Sequence, residues 1–124
     1  MTIEIIAYTA CFVLASLGLF QIALIASAPL GNYAWGGAHR ILPTKLRIGS
    51  VVSIILYTVF AVILLNKAGI VSLFSNVDVA AWALTVYFFV GVLMNGISRS
   101  KKERAVMTPV SLLLAVLSLV IALN

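Results

Sequence analysis

The chain has 124 residues, of which 64% are hydrophobic and only 9% charged, with a formal net charge of +5. A water-soluble domain would place about a quarter of its residues in charged side chains, so a soluble fold is excluded and one bilayer-embedded domain is implied. The pI of about 9.8 does not point to nucleic acid, because the basic residues flank bilayer-length apolar runs, the pattern that orients membrane helices.

About 20 apolar residues are needed to cross roughly 30 Å of hydrocarbon. Four segments meet or approach that length, at about 3–27, 48–66, 79–97 and 107–124. Each must be a helix, because an unpaired strand would leave its backbone polar groups unsatisfied in lipid. The expected fold is an all-α integral membrane protein, one transmembrane domain over 1–124 built as a four-helix bundle.

The first segment ends in Ala26-Ser27-Ala28, which resembles a signal-peptide cleavage site. Glu4 stands where a signal would be basic, the apolar run exceeds a signal core, and Pro29 would follow the cut, so a retained helix is expected. The helix carries Gln21 and a stripe of small residues, Ala7, Cys11, Ala15 and Gly18. Such stripes let lipid-embedded helices approach closely, either within one bundle or in a homodimer. Cys11 is the single cysteine, which excludes an internal disulfide and suits a small packing residue.

Residues 29–47 are the least generic part of the chain. Pro29, Gly31, Gly36, Gly37 and Pro43 rule out one regular helix, and the only histidine, His39, lies here beside Trp35. The glycine pair permits positive φ and an inward-turned row of N–H groups, the geometry of an anion-binding nest. Arg40, Lys45 and Arg47 stand close by. Trp35, Gly36, Gly37, His39, Arg40, Lys45 and Arg47 therefore form a candidate ligand or lipid site. The plainer alternative is an interfacial cap whose aromatic residues float at headgroup level while its basic side chains reach lipid phosphates.

Residues 67–78 mix Ile70, Val71, Leu73 and Phe74 with polar residues and are expected along the headgroup boundary. The third helix carries Asn95, which falls in the same half of the bilayer as Gln21 by residue count. The two amides are a candidate intramembrane polar pair, joined by a hydrogen bond or else lining a polar vestibule. The link at 98–106 is compact and basic, and Pro109 is expected in the first turn of the last helix, where no N–H is needed. That helix has its own small stripe, Ser111, Ala115, Ser118 and Ala122. Residues 51–66 also align without gaps to 109–124, matching at Val52, Ser53, Leu56, Val62, Ile63, Leu65 and Asn66. This marks a candidate duplication of a two-helix hairpin, related by an axis along the membrane normal.

Seven of the eight basic residues lie in 29–47 and 98–109, each stretch summing to +3, whereas Glu4, Lys67 and Asp78 on the opposite side sum to −1. Basic loops stay cytoplasmic, so both termini are expected outside. No acidic or basic residue sits near the middle of any span, which argues against a proton relay. One histidine and one cysteine make no metal site, and no cofactor is expected. Paired carboxylates and nucleophile motifs are missing, so an enzyme, in particular a lipid-acting one, ranks last.

The runs APLGNYAWGGAHRILPTKLRIGS at 28–50 and MNGISRSKKERAVMTP at 94–109 resemble a pattern in small four-helix membrane proteins of bacteria with no assigned activity. The resemblance implies a bacterial inner membrane and four helices, nothing more. The expected function is a non-enzymatic membrane component whose basic cytoplasmic loops bind anionic lipid headgroups, a small anion or a protein partner. The alternative is an oligomeric channel or transporter for a small solute.

Overall fold

The computed structural model describes residues 2–124. It consists of α1 (Ile3–Ile25), α2 (Thr44–Lys67), α3 (Val77–Gly96) and α4 (Lys101–Leu123), with short 3-10 turns at Gly31–Tyr33 and Trp35–Gly37. All four helices are long and apolar enough to cross a membrane, and no strand occurs among the described residues.

Local chemistry sets the helix ends. Thr2 caps α1, its Oγ1 accepting from the Ile5 N–H at 3.4 Å, with Glu4 in the first turn; both features favour a helix N-terminus. Ser27 closes α1 in the left-handed region at φ 71°. The Ser27 and Ala28 N–H groups then return to the carbonyls of Leu24 and Ala23, and Pro29 prevents continuation. Gly69 ends α2 in the same way at φ 83°, with Ile70 N–H bonded to the Leu65 carbonyl. Beyond it, Asn66 Oδ1 accepts from the N–H groups of Leu73 and Phe74 at 2.8 and 3.2 Å, folding the 68–76 connection back onto its own helix.

The helices alternate in direction. α1 packs most closely on α2 and α3 on α4, while α1 against α4 and α2 against α3 complete the ring. Near the end that carries both termini, the core is apolar: Ala7, Ala10 and Leu14 meet Phe60, Leu64, Leu84, Phe88, Leu114, Ala115, Leu117 and Ile121. Phe60 and Phe88 meet edge to face with centroids 5.6 Å apart, a favourable aromatic geometry. Lys67 and Asp78 pair at 2.7 Å across the α2–α3 connection at this end. A smaller core of Leu24, Ala34 and Leu42 holds the 29–43 loop against the opposite end. The outward faces carry Phe12, Leu19, Ile55, Val86 and Leu93, as a lipid-facing surface requires.

Three details differ from the sequence expectations. The fourth helix begins at Lys101 rather than near 107, so most of the basic link is helical and Pro109 lies inside α4. The missing proline N–H leaves the Ala105 carbonyl without its helical donor, in a turn where Ala105 and Val106 are exposed. α2 likewise starts earlier, at Thr44. On α1, only Ala7 of the small stripe enters the core, together with Ala10 and Leu14. Cys11, Ala15 and Gly18 instead line an outer groove against Ile54, Thr58 and Ala61 of α2. The stripe on α4 does turn inward, with Ala115 and Ser118 fully buried and Ala122 nearly so.

Candidate functional site

At the basic end the 29–43 loop is fixed by contacts that few side chains could replace. The Gly31 N–H donates to the Arg40 carbonyl at 2.8 Å, and a Cβ on Gly31 would overlap the carbonyl oxygen of His39. Trp35, Gly36 and Gly37 are consecutive left-handed residues at φ 53°, 70° and 75°, a run that glycine makes accessible. This turn lays the Trp35 ring over α2 at Gly49, where a Cβ would stand 2.8 Å from the ring. Gly37 in turn abuts Ser100, whose hydroxyl donates to the Asn32 carbonyl and accepts from the Glu103 N–H at 3.2 Å. Ser100 thus caps α4 and ties the loop to it. Lys102 Nζ lies 5.8 Å from the centroid of the Tyr33 ring, within cation–π range.

Beneath this loop the bundle forms a partly open cavity of about 200 Å³. Its polar lining comes from Gln21 of α1, Tyr33 of the loop, Ser53 and Tyr57 of α2, Asn95 of α3, and Glu103 and Ser111 of α4. Leu17, Phe20, Trp35, Met107 and Val110 complete the wall. Gln21 and Asn95 are not bonded to each other, contrary to the direct-pair expectation. Gln21 Nε2 donates to the Tyr57 hydroxyl at 3.4 Å, and Asn95 Nδ2 donates to Ser111 Oγ at 2.7 Å. Each amide takes a partner on the next helix in sequence, because those helices pack most closely. Gln21 Oε1 is buried without a donor.

Glu103 is the least expected member. It lies at the third position of α4, where a Ser-x-x-Glu capping box would return the carboxylate to the Ser100 N–H. Here that N–H donates to Ser98 Oγ at 3.1 Å, which frees the glutamate. The side chain is only 8% exposed and lines the cavity. Among the described residues the one ion pair is Lys67–Asp78, far from it.

The predicted loop residues do not converge on this cavity. Trp35 lines it, whereas His39, Arg40 and Lys45 are exposed and outside it. Arg47 is spent locally, its Nε donating to the Leu42 carbonyl at 2.8 Å. The glycine pair forms no open nest either, since the Gly37 N–H donates to the Ala34 carbonyl at 2.8 Å. Sequence reasoning missed Glu103, Tyr33, Ser53, Tyr57 and Ser111. Only the first had a local signal, the Ser100–Glu103 spacing that marks a helix start. Among the described residues no three His, Cys, Asp or Glu side chains gather where a metal ion could be held.

Comparison with protein-family models, curated proteins and solved structures finds no match to this chain.

Proposed function

We propose that this multi-pass membrane protein is a non-enzymatic binding component that takes a small polar molecule into the cavity beneath the 29–43 loop. The carrying observation is the layer of Gln21, Ser53, Tyr57, Asn95, Glu103 and Ser111, contributed by all four helices to one space. Polar side chains inside a membrane bundle are costly and mark sites where they converge on a cavity. A space of about 200 Å³ would hold roughly six waters at about 30 Å³ each, or a ligand of similar size. Leu14, Phe60, Phe88 and Leu114 fill the bundle beyond it, which favours a binding pocket over an open channel.

The charge asymmetry supports an orientation with the basic end cytoplasmic and both termini outside. The resemblance to small bacterial membrane proteins supports an inner-membrane location. Arg40, Lys45, Arg99, Lys101, Lys102 and Arg104 are exposed at the loop end. There they would engage anionic headgroups, each contributing about 1 kcal/mol near a charged leaflet.

Thiol accessibility tests both statements. In a Cys11→Ala background, Ser53→Cys should react with a membrane-impermeant methanethiosulfonate in inside-out vesicles and resist it in right-side-out vesicles. No reaction from either side would overturn the binding cavity, and reaction only from outside would reverse the orientation.

A further inference from the structure

Building on that reading, we propose that the ligand is a cationic amphiphile, a primary alkylammonium whose head sits against Glu103 and whose tail leaves the bundle between α2 and α3. The polar cavity has a neighbour on that side. A second chamber of about 300 Å³ shares Leu17, Tyr57, Asn95 and Ser111 with it. That chamber continues past Phe88 and Gly91 to Tyr87, Val90 and Met94, each about half exposed or more on the lipid-facing side of α3. It lies along a seam where α2 and α3 pack less closely than either sequential hairpin. A Cβ on Gly91 would meet only Ser111 Oγ, at 3.8 Å, so the glycine leaves the passage wide.

The chemistry of the head follows from what the chain leaves unpaired. A buried carboxylate is retained at tolerable cost only when a cation or several donors meet it. Glu103 lines the cavity at 8% exposure and makes no ion pair among the described residues, and Gln21 Oε1 is a buried acceptor without a donor. An ammonium supplies positive charge and three N–H donors to such a pair. Tyr33, Trp35 and Tyr57 line the same space, and aromatic faces attract a desolvated cation. The route follows from charge as well. Arg99, Lys101, Lys102 and Arg104 surround the loop end and repel a small cation arriving from water. The α2–α3 opening is apolar and reaches the acyl region, where amphiphiles accumulate by about 0.8 kcal/mol per methylene.

The test uses the Cys11→Ala, Ser53→Cys protein in phosphatidylcholine nanodiscs, with methyl methanethiosulfonate as a small neutral label. Decylammonium should slow labelling by about tenfold or more once it exceeds its dissociation constant by that factor. Decyl sulfate at the same bilayer mole fraction should not. Glu103→Gln, which keeps a residue suited to the third helical position, should raise the half-protecting decylammonium fraction by about tenfold or more, as expected when a charged hydrogen-bond partner is lost. Gly91→Ile, or Met94→Trp if the first misfolds, should weaken protection by decylammonium but not by ethylammonium. Equal protection by decyl sulfate, or an unchanged response in Glu103→Gln, overturns the cationic head. Unaltered decylammonium protection in both seam variants overturns the lateral tail. If Ser53→Cys labels freely and no ammonium protects it, this inference fails while the polar-solute reading stands. If Ser53→Cys never labels, the reading itself fails.

Discussion

The hydrogen bonds of the two intramembrane amides allow a quantitative test of how the polar layer is built. Asn95 and Ser111 meet at 2.7 Å, so Asn95→Leu and Ser111→Ala should couple by about 0.6–1.7 kcal/mol, the span found for hydrogen bonds between membrane helices. The upper end is unexpected, because a serine freed of its partner can bond the carbonyl four residues back, here that of Met107. Gln21 and Tyr57 meet at 3.4 Å, beyond the usual range for a strong bond, so Gln21→Leu with Tyr57→Phe should couple by no more than about 0.6 kcal/mol. Gln21 and Asn95 share no bond. Their double variant should be additive within about 0.5 kcal/mol, as for residues without a common partner. Three double-mutant cycles, read as reversible unfolding free energies in mixed micelles with increasing denaturing detergent, give all three values. A Gln21–Asn95 coupling larger than the Asn95–Ser111 coupling would refute this geometry and restore a direct amide pair.

Three other substitutions probe the loop and its attachment. Gly31→Ala should open the 29–43 loop, since its Cβ overlaps the His39 carbonyl oxygen, and limited proteolysis should cut there at least about tenfold faster, the population change given by about 1.4 kcal/mol. Gly49→Val should lift the Trp35 ring from α2; in a Trp82→Phe background the remaining Trp35 emission should shift to the red, and an unchanged spectrum would contradict the seating. Ser100→Ala should lose both the α4 cap and the tie to Asn32, costing about 1–2 kcal/mol in the same unfolding assay, with Ser100→Thr recovering part of it.

The four-helix architecture is legible in the residues because lipid leaves so few alternatives. Runs such as 51–65 have only helix available to them. Helix ends are less legible. The basic residues from Arg99 to Arg104 look like a solvated link, yet Ser100 provides a cap and the helix simply continues beyond the hydrocarbon, carrying its charges on a polar turn. Pro109 reads as a first-turn residue for the same reason, because the apolar run and the helix are easily equated. The amides show a different limit. Counting residues puts Gln21 and Asn95 in the same half of the bilayer, but their partners depend on helix rotation, which a nearly uniform apolar stretch barely specifies. Glu103 was hidden by its neighbours. One carboxylate among four cations reads as solvent-facing until the Ser98–Ser100 bond is seen to release it inward.

The ungapped match between 51–66 and 109–124 takes on physical meaning where it fails. Ser53 and Ser111, which are matched, both line the polar cavity. The unmatched inward positions pair large with small: Tyr57 with Ala115, Phe60 with Ser118, and Leu64 with Ala122. Phe60 and Leu64 fill the core from α2, while Ala115, Ser118 and Ala122 present a low, buried face on α4. Small residues allow close helix approach, and the α3–α4 hairpin is the more closely packed of the two. Large residues on α2 hold α3 away and project Tyr57 across the bundle toward Gln21. Large residues on α2 and small ones on α4 thus give a bundle whose α3–α4 hairpin is its most closely packed part, with looser seams between the hairpins. A symmetric pair, with small residues on both helices, would draw all four together and erase the cavity. The difference in side-chain size between α2 and α4 therefore helps to open the space, and Ser53 and Ser111 help keep one end of it polar.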